Sequence, residues 1–436
     1  MARLEIDLDF ETLREGSGAV LHVLVRVQTE PAPEEATRRP MDLALVLDRS
    51  ASMAADGKMN FAREAVRRVV ESVGAEDRVA LVAYDNLVDV LATPTSGADS
   101  ETLFAALENL TPRGMTNLDE GWSAGLTLLE GLADPAPIRA VLLLTDGLAN
   151  EGETRRPVLA ERGRKQAEQG LRTSCFGFGD DFDEDLLTEI AESADGHFYY
   201  IDDARRAPEA FLAELSELSG VVARSAVVTM EIAEGLELER NYSKLAGREE
   251  RRRVSWRLGD LVANDERTLL CSLRIAEDLD EGEWPAASVV LSSKDMETGA
   301  ESRVETPVNF TVGGPADLIA TRRATPIVLR ERLVLGAAVA KDQAALFADQ
   351  QAFAEARRSL DAAIHEIRRA LKTAPTRFNP EDREALEQEI RLCEEIGRSL
   401  MPGGWDRTAR KSALTQSYMA RSQRGSWRRR GADLWS

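Results

Sequence analysis

The stretch Leu43-Ala44-Leu45-Val46-Leu47-Asp48-Arg49-Ser50-Ala51-Ser52 joins five uninterrupted apolar residues to a carboxylate and two hydroxyls at alternate positions. An apolar run with no polar break is the pattern of a strand buried on both faces. The oxygen-bearing side chains that follow sit on the loop leaving that strand and converge on one point. Such a donor set suits a hard cation, Mg²⁺ or Mn²⁺, rather than zinc. Two later segments supply what the first lacks. Gly114-Met115-Thr116-Asn117 offers a hydroxyl behind a flexible glycine, and Thr145-Asp146-Gly147 adds a carboxylate behind a second apolar run, Ala140–Leu144. Singly, each is an ordinary helix cap or turn: Asp and Ser often follow strands, and Asp-Gly alone is a turn signal. Taken as a set of five at strand or loop ends, they describe a metal site.

Outward from this stretch, strand and helix patterns alternate. Apolar runs at Leu43–Leu47, Val79–Tyr84, Ala140–Leu144 and Thr173–Phe178 are separated by helical periodicity near Asn60–Val73, Glu101–Leu110, Leu118–Leu132, Arg155–Gln169, Asp183–Ser193 and Pro208–Leu218. This predicts an α/β fold, a doubly wound and mainly parallel sheet covered on both faces. Ligands of such sheets bind beyond the carboxyl ends of the strands at the topological switch point, where the Asp48 and Asp146 segments fall.

Asp48-Arg49-Ser50-Ala51-Ser52, Thr116 and Asp146 together resemble the metal-ion-dependent adhesion site of von Willebrand factor A domains of the bacterial intracellular type, over roughly residues 41–220. The resemblance implies a Rossmann-like fold and a divalent ion held by Asp48, Ser50, Ser52, Thr116 and Asp146, the last often through water. It also implies a partner protein whose Asp or Glu completes the ion's shell. Intracellular bacterial members often serve in assembly or chaperone systems, sometimes beside AAA+ ATPases, which is analogy at family level only. The usual pattern has glycine where this chain has Ala51, so a local shift of backbone is expected there, without loss of a ligand.

The flanks follow other rules. Residues 1–30 read as two strands, near Leu4–Phe10 and Ala19–Gln28, joined through Gly16-Ser17-Gly18, and Pro31–Pro40 reads as a linker. Beyond residue 220, short alternating runs at Ser225–Ile232, Arg253–Leu258, Thr268–Ile275, Ala287–Ser293 and Val304–Val312 lack helical crossovers and predict an antiparallel β-sandwich over 221–314. An isolated hairpin is marginal, so the N-terminal strands are expected to join this sandwich, with the α/β domain inserted. The alternative is a separate ribbon packed on that domain. Residues 316–400 carry a helical stripe from Leu329 to Leu371, a break bracketed by Pro375 and Pro380, and a second helix at Glu381–Leu400, which reads as a helical hairpin packed on the sandwich. Residues 401–436 form a basic tail in which Trp405, Tyr418, Trp427 and Trp435 alternate with Arg and Lys.

Composition narrows the function. The 436 residues carry a net charge of −21, and the tail alone is +6, leaving −27 on the rest. A body so acidic repels phosphates and argues against nucleic acid as a partner. The tail's basic residues mixed with aromatics suit nucleic acid or an anionic membrane surface. With so acidic a body, however, the tail is expected to dock on that body or on a neighbouring copy, and the alanine-rich helices offer a second route to self-association. The first ten residues lack the apolar centre of a signal peptide, and no apolar run approaches the ~20 residues of a transmembrane helix. Cys175, Cys271 and Cys393 are odd in number and far apart, which excludes a disulfide framework and a zinc ribbon. The expectation is a cytoplasmic protein. Gly177-Phe178-Gly179 lacks the third glycine of a dinucleotide fingerprint and reads as a strand exit, and the acidic residues from Asp180 to Asp185 read as a helix start. His22, His197 and His365 lie away from the metal segments in sequence and read as structural. The function expected is non-enzymatic: a metal-dependent protein-binding module or scaffold. The alternatives are a Mg²⁺-dependent hydrolase or phosphatase using Asp48 or Asp146, and a scaffold with a vestigial metal site.

Overall fold

The computed structural model describes residues 2–421 apart from 11, 14–17, 32–38, 98, 134–136, 180, 244, 246, 277–278, 297, 314–324 and 374–375. Most of the 31–40 linker, the Gly16-Ser17 link, Asp180, the first residues of the 316–400 region, Pro375 and the tail beyond 421 lie outside the described residues. The chain forms two compact units, one from Met1–Pro31 with Ala223–Trp435 and one from Ala32–Val222.

In chain order, β1 (Ala2–Leu8), β2 (Thr12–Leu13) and β3 (Val20–Thr29) precede the second unit. That unit contains β4 (Met41–Asp48), α1 (Lys58–Ser72), β5 (Arg78–Tyr84), β6 (Val88–Ser96), α2 (Ser100–Glu108), α3 (Leu118–Glu130) and β7 (Ile138–Thr145). It continues through α4 (Arg156–Glu168), β8 (Leu171–Phe178), α5 (Glu184–Ser193), β9 (Phe198–Ile201) and α6 (Ala207–Ser219), with 3-10 turns at Ala51–Gly57 and Ala204–Arg206. Its sheet has the order β6-β5-β4-β7-β8-β9, all parallel except the edge strand β6. β4 and β8 are buried at every position, as strands covered on both faces must be. The sheet reverses its winding between β4 and β7, so the ends of these two neighbours form the switch point.

α3 lies very close to the sheet because two of its residues have no side chain. A Cβ on Gly121 would stand 2.4 Å from Tyr84 Cγ, and one on Gly125 would stand 2.6 Å from Val46 Cγ2. Beside them the buried Trp122 donates from Nε1 to Thr173 Oγ1 at 2.9 Å. This seating aims the N-terminus of α3 at the carboxyl ends of β4 and β5.

The first unit resumes with β10 (Val221–Ile232), β11 (Leu236–Asn241), β12 (Gly247–Glu250), β13 (Arg253–Val262), β14 (Glu266–Ile275), β15 (Gly282–Asp295) and β16 (Glu301–Val312). Two antiparallel sheets result, β1-β3-β14-β11 and β12-β13-β10-β15-β16-β2, the short β2 pairing parallel to β16. β3 runs antiparallel to β14 along its length, from Gln28 opposite Glu266 to Val20 opposite Arg274. Inward residues of both sheets, among them Val23, Val25, Leu269, Met230, Trp256 and Phe310, fill one apolar core.

Among the described residues four helices follow: α7 (Pro326–Asp349), α8 (Phe353–Thr373), α9 (Pro380–Ser399) and α10 (Arg407–Arg421). The hairpin reading therefore needs refinement. The stripe from Leu329 to Leu371 is two helices, broken where Gln351 takes a left-handed φ of 60°, and a further helix lies within the stretch read as tail. Val328 and Leu335 of α7 pack with Leu24 and Leu270 of the sandwich, while Leu333, Ala337 and Ala344 join α8, α9 and α10 in a separate core. Among the described residues no helix is long and apolar enough to cross a membrane.

Candidate metal centre

Four loops meet at the switch point, those after β4, β5 and β7 and the one before α3, and backbone hydrogen bonds stitch them together. Arg49 N donates to Tyr84 O at 2.9 Å, Ala51 N to Gly114 O at 3.2 Å, Asn117 N to Asp85 O at 2.9 Å and Asn150 N to Thr116 O at 3.2 Å. Arg49 and Asn117 are buried, so their amides would otherwise be orphaned, and the four bonds together hold the loops in register. Gly114 is required by this arrangement. Its φ is +72°, and a Cβ would lie 2.3 Å from Asn86 Oδ1. Asn117 caps α3 by accepting from Glu120 N, which fixes Thr116 one residue before the cap. Ala51 lies outside the left-handed region, inside the 3-10 turn, so the expected shift at the missing glycine does not arise from forbidden φ.

Asp48 ends β4 with its side chain fully buried. Its Oδ1 accepts from Ser50 N at 2.7 Å and its Oδ2 from Thr145 Oγ1 at 2.6 Å. Burial pushes its carboxyl up to about 6, against hydrogen bonds from Thr145 and Ser50 that favour the charged form, with the charge of Asp146 adding to the rise. Ser50 Oγ lies 3.0 Å from Ser52 Oγ, and Ser52 Oγ donates to Asp146 Oδ1 at 2.6 Å. Thr116 completes the ring across Gly147: a Cβ on that glycine would stand 3.3 Å from Thr116 Oγ1 and 3.6 Å from Ser52 Oγ. Four of the five sequence-derived residues thus form one hydrogen-bonded group, and Thr116 faces it over a glycine that leaves the space open. Three hydroxyls and two carboxylates, all hard oxygen, match the chemistry of Mg²⁺ or Mn²⁺, and the opening at Gly147 provides a cradle among them.

Two features escaped the sequence. Lys58, the first residue of α1, donates to Asp146 Oδ2 at 2.7 Å. Behind the Asp48 loop, Arg49 Nε and Arg113 Nε each donate to Asp85 Oδ2 at 2.8 Å, and Arg49 also pairs with Asp89. Burial raises the Asp85 carboxyl, but hydrogen bonds from Arg113, the Leu87 amide and Arg49 outweigh it and hold the group below the usual carboxylate range. Asp85 is therefore a fixed anion that ties the Ser50 loop to the Thr116 loop. A lysine or an arginine beside an aspartate carries no spacing signal when the partners are 88 or 36 residues apart.

Of the other groups singled out, Asp183 caps α5 by accepting from Leu186 N, and it pairs with Arg156. His197 is buried against Glu214 at 2.5 Å, with Ser174 Oγ and Tyr199 OH donating to the same carboxylate. His22 pairs with Asp9 at 2.7 Å. These contacts give the three groups structural roles.

A family model of the von Willebrand factor type A domain matches residues 42–213. The uncharacterized protein sll0103 of Synechocystis is 26% identical over 292 residues, covering 64% of this chain and 68% of that protein. The uncharacterized protein YfbK of Escherichia coli is 27% identical over 195 residues, covering 44% of this chain but only 33% of that protein. Among solved structures, a von Willebrand factor type A protein from Catenulispora acidiphila has the same fold with a TM-score of 0.72 at 17% identity, over 95% of this chain and 96% of that one.

Proposed function

We propose that this chain, a member of the von Willebrand factor type A family through its residues 42–213, is a non-enzymatic binding protein that captures an acidic side chain of a partner protein through a divalent ion. The observation that carries this reading is the convergence of Asp48, Ser50, Ser52, Thr116 and Asp146 around Gly147 at the switch point. Mg²⁺ or Mn²⁺ held by neutral hydroxyls and few carboxylates keeps surplus positive charge, and it supplies a site for an incoming carboxylate oxygen. The protein's own residues do the rest. Asp48 and Asp146 provide charge, the three hydroxyls provide neutral oxygens, and Asp85 with Arg49 and Arg113 keeps the loops at fixed spacing.

The rim supports a protein partner. Leu87, Met115 and Leu148 are exposed, and each stands on one of the stitched loops, beside Asp85, Thr116 and Asp146 respectively. An acidic residue flanked by apolar ones suits such a rim.

The test is capture of a partner from cell extract on immobilised protein, in Mg²⁺ and in excess chelator, with Thr116→Ala beside the wild-type chain. The expected partner is retained only by wild type with Mg²⁺. A partner held equally in chelator contradicts recognition through the ion.

A further inference from the structure

Asp146 already meets a cation that belongs to the chain. The Lys58 ammonium stands 2.7 Å from its Oδ2, with the lysine side chain only 12% exposed and the carboxylate not at all. The backbone behind Lys58 is held in place. Asp56 and Gly57 are left-handed at φ 52° and 70°, and Lys58 N closes the 3-10 turn on Ala55 O and Met53 O. On the other side Gly179, itself at φ +65°, leaves room for the lysine: a Cβ there would lie 3.5 Å from both Cε and Nζ.

Nothing local favours a lysine in this place. The first turn of a helix carries the positive end of the dipole and prefers acidic residues, yet α1 has none there and begins with Lys58. The ammonium is stabilised instead across the chain, by a carboxylate of the metal centre.

We propose that Lys58 sets the charge of the metal centre, weakening its hold on the ion and strengthening the loaded ion's hold on a partner's carboxylate. The inference rests on the metal-dependent reading above. Ionised Asp48 and Asp146 supply two negative charges, and Lys58 cancels one. A divalent ion then leaves the loaded centre with one net positive charge, which an incoming carboxylate neutralises. Without Lys58 the loaded centre is neutral before any partner arrives. A positive charge this near the ion also repels it, in a pocket where water screens poorly. Ion affinity is given up for affinity toward an anion.

The experiment compares wild type with Lys58→Met, which keeps the unbranched stem, and Lys58→Arg, which keeps the charge. Mg²⁺ is titrated into each by calorimetry at one fixed pH above neutral, with Asp48→Ala as the blank. Acetate is then added to each Mn²⁺-loaded protein, and broadening of its methyl proton resonance reports a carboxylate at the ion. The expected result is Mg²⁺ binding roughly tenfold or more tighter in Lys58→Met, with weaker acetate broadening, while Lys58→Arg stays near wild type. Equal or weaker Mg²⁺ binding in Lys58→Met, with Lys58→Arg still near wild type, overturns the proposal and leaves Lys58 as a brace for Asp146. Binding in no variant, wild type included, overturns the metal-dependent reading itself, so the two failures are distinguishable.

Discussion

Replacing Asp48 by Asn should stabilise the metal-free protein while destroying its metal site. Asp48 is fully buried, and burial lifts its carboxyl from the ordinary 3.8 to about 6. A carboxyl with a higher pKa folded than unfolded binds more protons in the folded state, so its contribution is lost as pH rises between those two values. A rise of roughly two pH units is about 3 kcal/mol, fully developed at neutral pH. Asparagine removes this penalty and keeps the local bonds. Its Oδ1 still accepts from Ser50 N, and its Nδ2 donates to Thr145 Oγ1, whose hydroxyl already lies 3.3 Å from Gly147 O and can turn to donate there. The gain is therefore expected at about 1–3 kcal/mol, or several °C in Tm for a unit of this size. The assay is thermal unfolding in chelator across the interval from pH 3.8 to neutral, for wild type and Asp48→Asn. Wild type should lose stability relative to the variant as pH rises, and added Mg²⁺ should stabilise wild type alone. An Asp48→Asn protein that is less stable than wild type in chelator at neutral pH would refute the reasoning.

Two further substitutions probe the site and its support. Gly147→Ala places a methyl group 3.3 Å from Thr116 Oγ1 and 3.6 Å from Ser52 Oγ, inside the cradle. Mg²⁺ affinity by calorimetry should fall at least about tenfold while Tm in chelator changes by less than the equivalent of about 1 kcal/mol. Gly121→Ala drives a Cβ to 2.4 Å from the Tyr84 ring and should lift α3 off the sheet, at about 1–3 kcal/mol measured by denaturant unfolding. Because Thr116 directly precedes the Asn117 cap of α3, the same variant should also weaken Mg²⁺ binding.

What could be read from the sequence divides by position in the sheets. β4, β5, β7 and β8 are apolar because neighbours or helices cover them on all sides, and their runs stand out in the sequence. The strands that escaped, β2, β6, β9, β11 and β12, are all at sheet edges. β6 carries Pro94, which an edge tolerates, and β12 is Gly-Arg-Glu-Glu, exposed throughout. The break at Gln351 has neither glycine nor proline to announce it. α10 escaped because its buried positions are Lys411, Ala413, Thr415 and Ser417, which make no apolar stripe. At the site, Asp48, Ser50, Ser52 and Asp146 were legible because they end or follow strands directly, and Thr116 because it stands behind a glycine just before a helix. Lys58 and Asp85 act through contacts that exist only once β4, β5 and β7 lie side by side.

The most direct measurement is calorimetric titration of Mg²⁺, then Mn²⁺, into chelator-treated protein, with Asp48→Ala measured alongside. Saturable binding at one site in wild type, absent from Asp48→Ala, is the predicted result. Wild-type protein that takes up neither ion, or an Asp48→Ala protein that binds as well as wild type, would contradict a metal centre at the ends of β4 and β7.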